Sequence, residues 1–280
     1  PGTPIFVTPT PSMRPNYFAK ILLFGEYGII KDAMGLSIPY RNYSGALHVP
    51  EGAVTVSQRL SNEALAPFVD YLQELDYQGE LKAGLDMKRL QKDLSEGLFF
   101  ESSIPQGYGV GSSGALVAAL YAEYAKEPLD LSQELPAQGI AQLKEALGQM
   151  ECYFHGKSSG IDPTICYLQL PLLIRSKEDL GTVDMPTTEV EGKGAIFLLN
   201  SGNPGETQPM VNIFMEKLKE EGFRKVMSGQ FKKYNDACVQ AFLNGDWDPL
   251  FSNLKGLSRV ALEHFSPMIP SAFHALWQNG

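Results

Sequence analysis

The sequence predicts an α+β fold, and three observations carry that expectation. Short apolar runs of β-type residues and longer runs with a 3.6-residue period are both present. They follow one another without the regular β-α-β alternation that a doubly wound parallel sheet requires. The carboxyl-terminal third, finally, reads as almost wholly helical. With 280 residues and 44% hydrophobic content, the chain can bury one large core or two ordinary ones.

The elements are taken in chain order. Residues 20–30, KILLFGEYGII, read as a strand, a turn at Gly25 and Gly28, and a second strand. The stretch 44–60 has alternating character and predicts a β-hairpin broken near Pro50–Gly52. Helical spacing over 62–76 places Ala66, Val69, Leu72 and Leu75 on one side, and 86–95 predicts a further helix. LFFESSI (98–104) is a short strand ending at Pro105, and the ALVAALYAEYA that follows Ser112–Ser113 makes an apolar helix of about three turns. Over 138–155, Ile140, Leu143, Leu147, Met150 and Phe154 keep the helical period until Gly156 stops it. Extended runs are expected at 165–174 and 194–200, and helix from 206 to 265. A domain boundary falls at 185–195, where polar MPTTEVEGK separates two apolar runs.

Composition narrows the function classes. The 20% charged and 10% aromatic fractions belong to a folded globular chain. A net charge of −9 with no Lys/Arg run argues against nucleic acid as partner, and an anionic substrate would need local cations and a divalent metal. Cys152, Cys166 and Cys238 are odd in number and irregular in spacing, which fits a reducing, cytoplasmic setting. Cys152 and His155 stand three apart, as two metal ligands on a helix do, but no second pair follows. No apolar run approaches the roughly 18 residues that span a bilayer, so no membrane partner is expected. The opening PGTPIFVTPTPS lacks a basic region and a sustained apolar core, which speaks against a signal peptide, and Met13 reads as a start.

The informative stretch is PQGYGVGSSGALVAA, residues 105–119. Gly109, Gly111 and Gly114 satisfy G-x-G-x-x-G, yet the dinucleotide fingerprint also needs a buried strand before the loop and a strand with an acidic end after it. ESSIPQGY upstream is polar and broken by Pro105, and Glu134 downstream sits in no strand, so that reading fails. A phosphate-holding loop asks less: glycines for close approach, and a helix start whose N–H groups point at an anion. Ser112 and Ser113 can cap that helix, and either hydroxyl can reach a phosphate or its Mg²⁺. On the loop alone, a capped helix after a turn fits equally well.

Three stretches in order resemble one family. PQGYGVGSSGA is similar to the P-x-x-x-G-x-G-S-S-A phosphate loop of the GHMP kinases, which include galactokinase and the homoserine, mevalonate and phosphomevalonate kinases. AKILLFGEYGII (19–30) resembles the G-K-V-I-L-x-G-E-H-x-V segment of the mevalonate kinases, and FHGKSSGIDPTI (154–165) their F-H-G-N-P-S-G-I-D-N segment. NSGNPGETQPMV (200–211) resembles that branch's strand and following loop with a substrate-side threonine, here Thr207.

The resemblance implies a two-domain GHMP architecture. Residues 13–192 would form an amino-terminal half like ribosomal protein S5 domain 2, and 193–280 a ferredoxin-like α+β half, incomplete because the family's third glycine-rich segment is absent. It implies an ATP- and Mg²⁺-dependent kinase for a small-molecule alcohol, most like mevalonate kinase, acting as a monomer or homodimer. Asp162 matches the catalytic base and Lys20 the lysine beside it. Pro105, Gly107, Gly109, Gly111, Ser112, Ser113 and Gly114 match the phosphate loop, with Ser113 and Glu151 as Mg²⁺ ligands. Glu26, Tyr27, Lys157, Ser159, Gly160 and Thr207 match the acceptor side. Departures stand at Phe18–Ala19 for Pro-Gly, Gly114 for Ala, Lys157 for Asn and Tyr27 for His. The last resembles the G-E-Y-A-V segment of phosphomevalonate kinases and opens the acceptor to that alternative, or to a sugar or hydroxy acid. A GHMP-fold protein that binds nucleotide without turnover is the further alternative.

Overall fold

The computed structural model describes residues 14–132, 135–176, 179–186, 196–202, 204–205 and 207–279. The opening through Met13 and most of the expected boundary, 187–195, lie outside the described residues.

An antiparallel sheet organises the first part of the chain. Strand β1 (Tyr17–Phe24) pairs along the length of β2 (Gly35–His48). The other edge of β2 is shared by β3 (Phe99–Ser102) at one end and β4 (Leu172–Ile174) at the other, and β4 carries β5 (Leu180–Thr182). Pro39 falls between those two paired ends, where its missing N–H breaks no described ladder.

Helices α1 (Val56–Tyr77) and α2 (Met87–Ser95) precede β3, and α3 (Ser112–Tyr124), α4 (Ala137–His155) and α5 (Ile161–Leu168) precede β4. Helix α3 is the centre of the core: Ala115, Val117, Ala118, Leu120 and Tyr124 are all buried, as expected of a helix apolar on every side. It packs against α5, α4 and the two long strands. In α1 the buried face is Leu65, Phe68, Val69 and Leu72, a stripe turned slightly from the expected one, with Ala66 and Leu75 on its flanks.

The last third is helical, as expected: α6 (Thr207–Lys217), α7 (Glu221–Val226), a π-turn to Phe231, α8 (Lys232–Asn244), α9 (Trp247–Phe265) and α10 (His274–Asn279). Helix α8 is tied to the start of β2 by both backbone groups of Met34. Its N–H donates to Asp236 at 2.7 Å, and its carbonyl accepts from the Asn235 amide at 2.7 Å. Leu36 and Leu173 of the sheet then pack against Cys238, Val239 and Phe242.

Four expectations are corrected. The second strand of 20–30 is instead a turn and a short 3₁₀ segment, Gly28–Lys31, and the strand begins at Gly35. The hairpin at 44–60 does not form. Residues 44–48 end β2, and Thr55 starts α1 by a capping box, its hydroxyl accepting from the Gln58 N–H at 3.2 Å while the Gln58 side chain accepts from the Thr55 N–H at 2.9 Å. Residues 165–168 belong to α5, because an apolar run without polar punctuation fits a buried helix as well as a strand. Of the extended run at 194–200, the described part, 196–200, has no regular structure and exposes Ile196, Phe197, Leu198 and Leu199. Among the described residues no helix is long and apolar enough to cross a membrane.

Candidate active site

The loop before α3 is held open by its glycines and fastened to β1. Gly111 precedes the helix with φ +85°, and a Cβ there would lie 2.8 Å from the Lys20 side chain, so only glycine seats here without strain. The Lys20 N–H donates to the Val110 carbonyl at 2.9 Å, while the Gly107 carbonyl accepts from Gly205 N–H at 2.7 Å. Pro105 enters the loop half-buried, and Gly109 (φ +68°) faces open space. The serines do not cap the helix as expected. Helix α3 begins at Ser112, its N-cap is Gly111, and no side chain bonds to its first N–H groups. Those donors remain available at the positive end of a helix whose first turn carries no acidic side chain.

A second helix start meets the first. Gly160, φ +74°, begins α5, and a Cβ on it would lie 2.0 Å from the Lys144 carbonyl oxygen. Gly114 of α3 runs so close that a Cβ would lie 3.0 Å from the Asp162 carbonyl carbon. This contact brings Asp162, in the first turn of α5, beside β1. Lys20 Nζ and Asp162 Oδ2 are 2.9 Å apart, the lysine buried and the aspartate 39% exposed. Burial works against the Lys20 charge, but the charge and hydrogen bond of Asp162, with Glu26 nearby, raise its pKa above the ordinary value. The pair is a cation fixed from below and a carboxylate open to solvent.

Glu151, on the last full turn of α4, is only 4% exposed. Burial first, and then the charge of Asp162, push its carboxyl up to about 7, against hydrogen bonds from Ser158 and Ser113 and the charge of Lys20. The Ser113 hydroxyl donates to Glu151 Oε1 at 3.1 Å, and His155 Nε2 lies 3.0 Å from the same hydroxyl oxygen. The Ser158 hydroxyl donates to Glu151 Oε2 and accepts from Gly160 N–H at 2.9 Å.

The acceptor-side candidates divide. Glu26 reaches solvent although surrounding protein, by desolvation, raises its carboxyl above the usual range, with Lys20 opposing and Asp162 reinforcing. Tyr27 has φ +55° and lays its ring 5.4 Å from Phe214 and 6.1 Å from Phe265, and burial raises its hydroxyl to about 12. It is thus anchored between the turn and the carboxyl-terminal helices. Lys157 is exposed. Ser159 is exposed too, and its hydroxyl accepts from Ile161 N–H at 3.4 Å, so the serine that reaches the site is Ser158. Thr207 opens α6, and its side chain lies outside the described residues.

Lys20, Ser113, Glu151, Asp162 and Glu26 are therefore brought together from β1, α3, α4, α5 and the β1 turn. Sequence reasoning missed Ser158, and it weighed His155 only as a metal-ligand candidate beside Cys152, not as a partner of Ser113. The signal for both was their place around Gly156, where the end of a helix returns the chain past its own last turn. Comparison with known proteins covers the same part of the chain. The family described as "GHMP kinases N terminal domain" matches residues 71–169, which hold the loop, α3, α4 and α5. Over that stretch the chain is similar to the GHMP kinases.

Curated relatives point to one branch of that superfamily. A mevalonate kinase of Pyrococcus abyssi is 26% identical over 218 residues, covering 72% of this chain and 61% of the relative. A mevalonate kinase of Thermococcus onnurineus is 28% identical over 162 residues, covering 52% and 47%. The chain thus spans about half to three fifths of the length of these relatives. The solved L. major mevalonate kinase in complex with R-mevalonate matches in fold, with a TM-score of 0.54 at 15% identity over 89% of this chain and 74% of that one. The antiparallel sheet and helices described above accordingly share the fold of that mevalonate kinase. Of the individual matches in the 154–165 segment, Gly160 and Asp162 sit at the junction of α3 and α5, while Lys157 stands outside it.

Proposed function

We propose that the protein is an ATP-dependent kinase that transfers the γ-phosphoryl group to the hydroxyl of a small alcohol, most like mevalonate. The observation that carries the reading is the Lys20–Asp162 pair, placed where two glycine-started helices converge beside the Ser113–Glu151 contact. Residues 13–192 are read as the amino-terminal unit and 193–280 as the carboxyl-terminal one.

Phosphoryl transfer leaves a protein mainly positioning and electrostatic work. The unpaired N–H groups at the start of α3, with the 105–114 backbone, hold the phosphates of ATP. Asp162, open to solvent on one side, accepts the proton of the acceptor hydroxyl as its oxygen bonds to the γ-phosphorus. The bond from that phosphorus to the β-γ bridging oxygen breaks, and ADP carries away the electron pair. Lys20, 2.9 Å from Asp162, holds that carboxylate in place and offsets charge gathering on the transferred group.

The donor set also fits a magnesium ion. Ser113 and Glu151 offer hard oxygens, Glu151 is a buried carboxylate whose charge wants a cation, and among the described residues no group of three or more His, Cys, Asp or Glu forms a complete cage. Magnesium is commonly held by one or two protein oxygens with phosphate oxygens completing its shell. Bound there, it would neutralise phosphate charge. Glu26 and Tyr27 form the acceptor wall, with Gly160, Lys157 and Thr207 assigned to the same side by resemblance.

The test is a coupled ADP assay with ATP, Mg²⁺ and a panel of mevalonate, phosphomevalonate, sugars and hydroxy acids. Turnover with mevalonate is expected. Turnover only with phosphomevalonate or a sugar reassigns the acceptor, and ATP binding without ADP release for any acceptor refutes the kinase reading.

A further inference from the structure

Resting on the reading of Ser113 as a metal-side hydroxyl, we infer that His155 is a positioning residue that fixes the direction in which Ser113 presents its oxygen. A serine hydroxyl has one proton and two lone pairs. Its proton is directed to Glu151 Oε1, 3.1 Å away. The imidazole Nε2, 3.0 Å from the same oxygen, must then bring its own proton and donate it to one lone pair. One lone pair is left, and its direction is set by the other two contacts.

Both partners come from one helix. Glu151 and His155 stand four residues apart on α4, so they share a face and reach the Ser113 hydroxyl as a pair. Gly156, φ +68°, ends the helix at once and leaves the His155 ring at the exposed rim instead of within the core. Without the histidine, Ser113 keeps its bond to Glu151 but loses the second contact that restrains its side-chain torsion, and the direction of its free lone pair shifts with that torsion. The role needs only an N–H at Nε2, which the neutral tautomer protonated there and the imidazolium both supply. It therefore does not depend on the ring changing its charge. His155 touches neither phosphate nor acceptor in this assignment and acts through Ser113 alone.

The test is calorimetry of ADP binding with and without Mg²⁺ for the wild type, His155→Leu and His155→Gln. Outer-shell partners of metal ligands are typically worth ~10–100-fold in metal affinity. His155→Leu should weaken Mg·ADP binding about 10-fold, leave metal-free ADP binding unchanged, and raise the Mg²⁺ concentration needed for half-maximal rate without moving the acceptor KM. His155→Gln, whose amide places an N–H near the Nε2 position, should recover most of the loss. Equal weakening with and without metal, no weakening at all, or failure of glutamine to rescue would each overturn the positioning role. If the wild type binds ADP no better with Mg²⁺ than without, the metal assignment of Ser113 falls first and the role of His155 with it. A thermal melt unchanged in both variants separates these outcomes from loss of fold.

Discussion

Helices α1 and α3 begin in opposite ways, and the contrast separates scaffold from site. Helix α1 is closed by Thr55 and Gln58, whose side chains and backbones satisfy each other reciprocally. Helix α2 is closed likewise by Asp86, whose carboxylate accepts from Arg89 N–H at 3.1 Å. Helices α3 and α5 begin at left-handed glycines with no side-chain cap. Charged groups stand at both starts: Lys20 of β1 against Gly111, and Asp162 in the first turn of α5 itself. A capped start has spent its donors on itself, whereas a glycine start keeps them and lets other backbone approach. Helices α1 and α2, away from the site, carry a local cap, and α3 and α5, which build it, carry none on their cap residues.

Four substitutions probe that contrast. The largest effect is expected of Asp162→Asn, which should lower kcat by about 10²–10⁴-fold while leaving ATP binding within a few-fold, read by ADP release and calorimetry. Activity within tenfold of wild type would remove Asp162 from the proton-transfer role. Gly160→Ala comes next, because its Cβ meets backbone at 2.0 Å and its φ is +74°. A stability loss of about 2–4 kcal/mol by chemical denaturation is expected. Gly111→Ala meets a flexible lysine chain instead, so about 1–2 kcal/mol should be lost, with a larger proportional loss of ATP affinity than of fold. Equal effects of the two glycine substitutions on binding would break the distinction between them. The smallest change is expected of Thr55→Ala, about 1 kcal/mol of stability with unchanged kinetics. A kinetic effect there would mean that α1 is not merely scaffold.

The same contrast explains what could be read from the sequence. Helices α3 and α4 were legible because their apolar residues are dense or periodic, and Glu151 stood out as a carboxylate on an apolar flank. The start of α1 was also legible in principle, since Thr55-Val-Ser-Gln58 spells a capping box, but the alternation upstream masked it. Helix α5 was read as a strand because six consecutive buried residues, Pro163–Leu168, erase periodicity, and only tertiary packing decides such a run. Lys20, Ser113, Glu151 and Asp162 were located by resemblance and then found together. The contact of His155 with Ser113 spans 42 positions and leaves no local pattern.

The two bonds that fasten the phosphate loop have an electrostatic consequence for its lining. In a planar trans peptide the carbonyl and the following N–H point in opposite directions. The Val110 carbonyl is turned to Lys20 N–H and the Gly107 carbonyl to Gly205 N–H. The N–H groups of Gly111 and Tyr108 are therefore turned away from those braces. Two oxygen ends are thus taken up by neighbouring backbone, and two hydrogen ends are left pointing elsewhere. One brace comes from β1, ahead of the 71–169 stretch, and the other from beyond it. The polarity of the loop is accordingly set by chain on both sides of the sequence that names it.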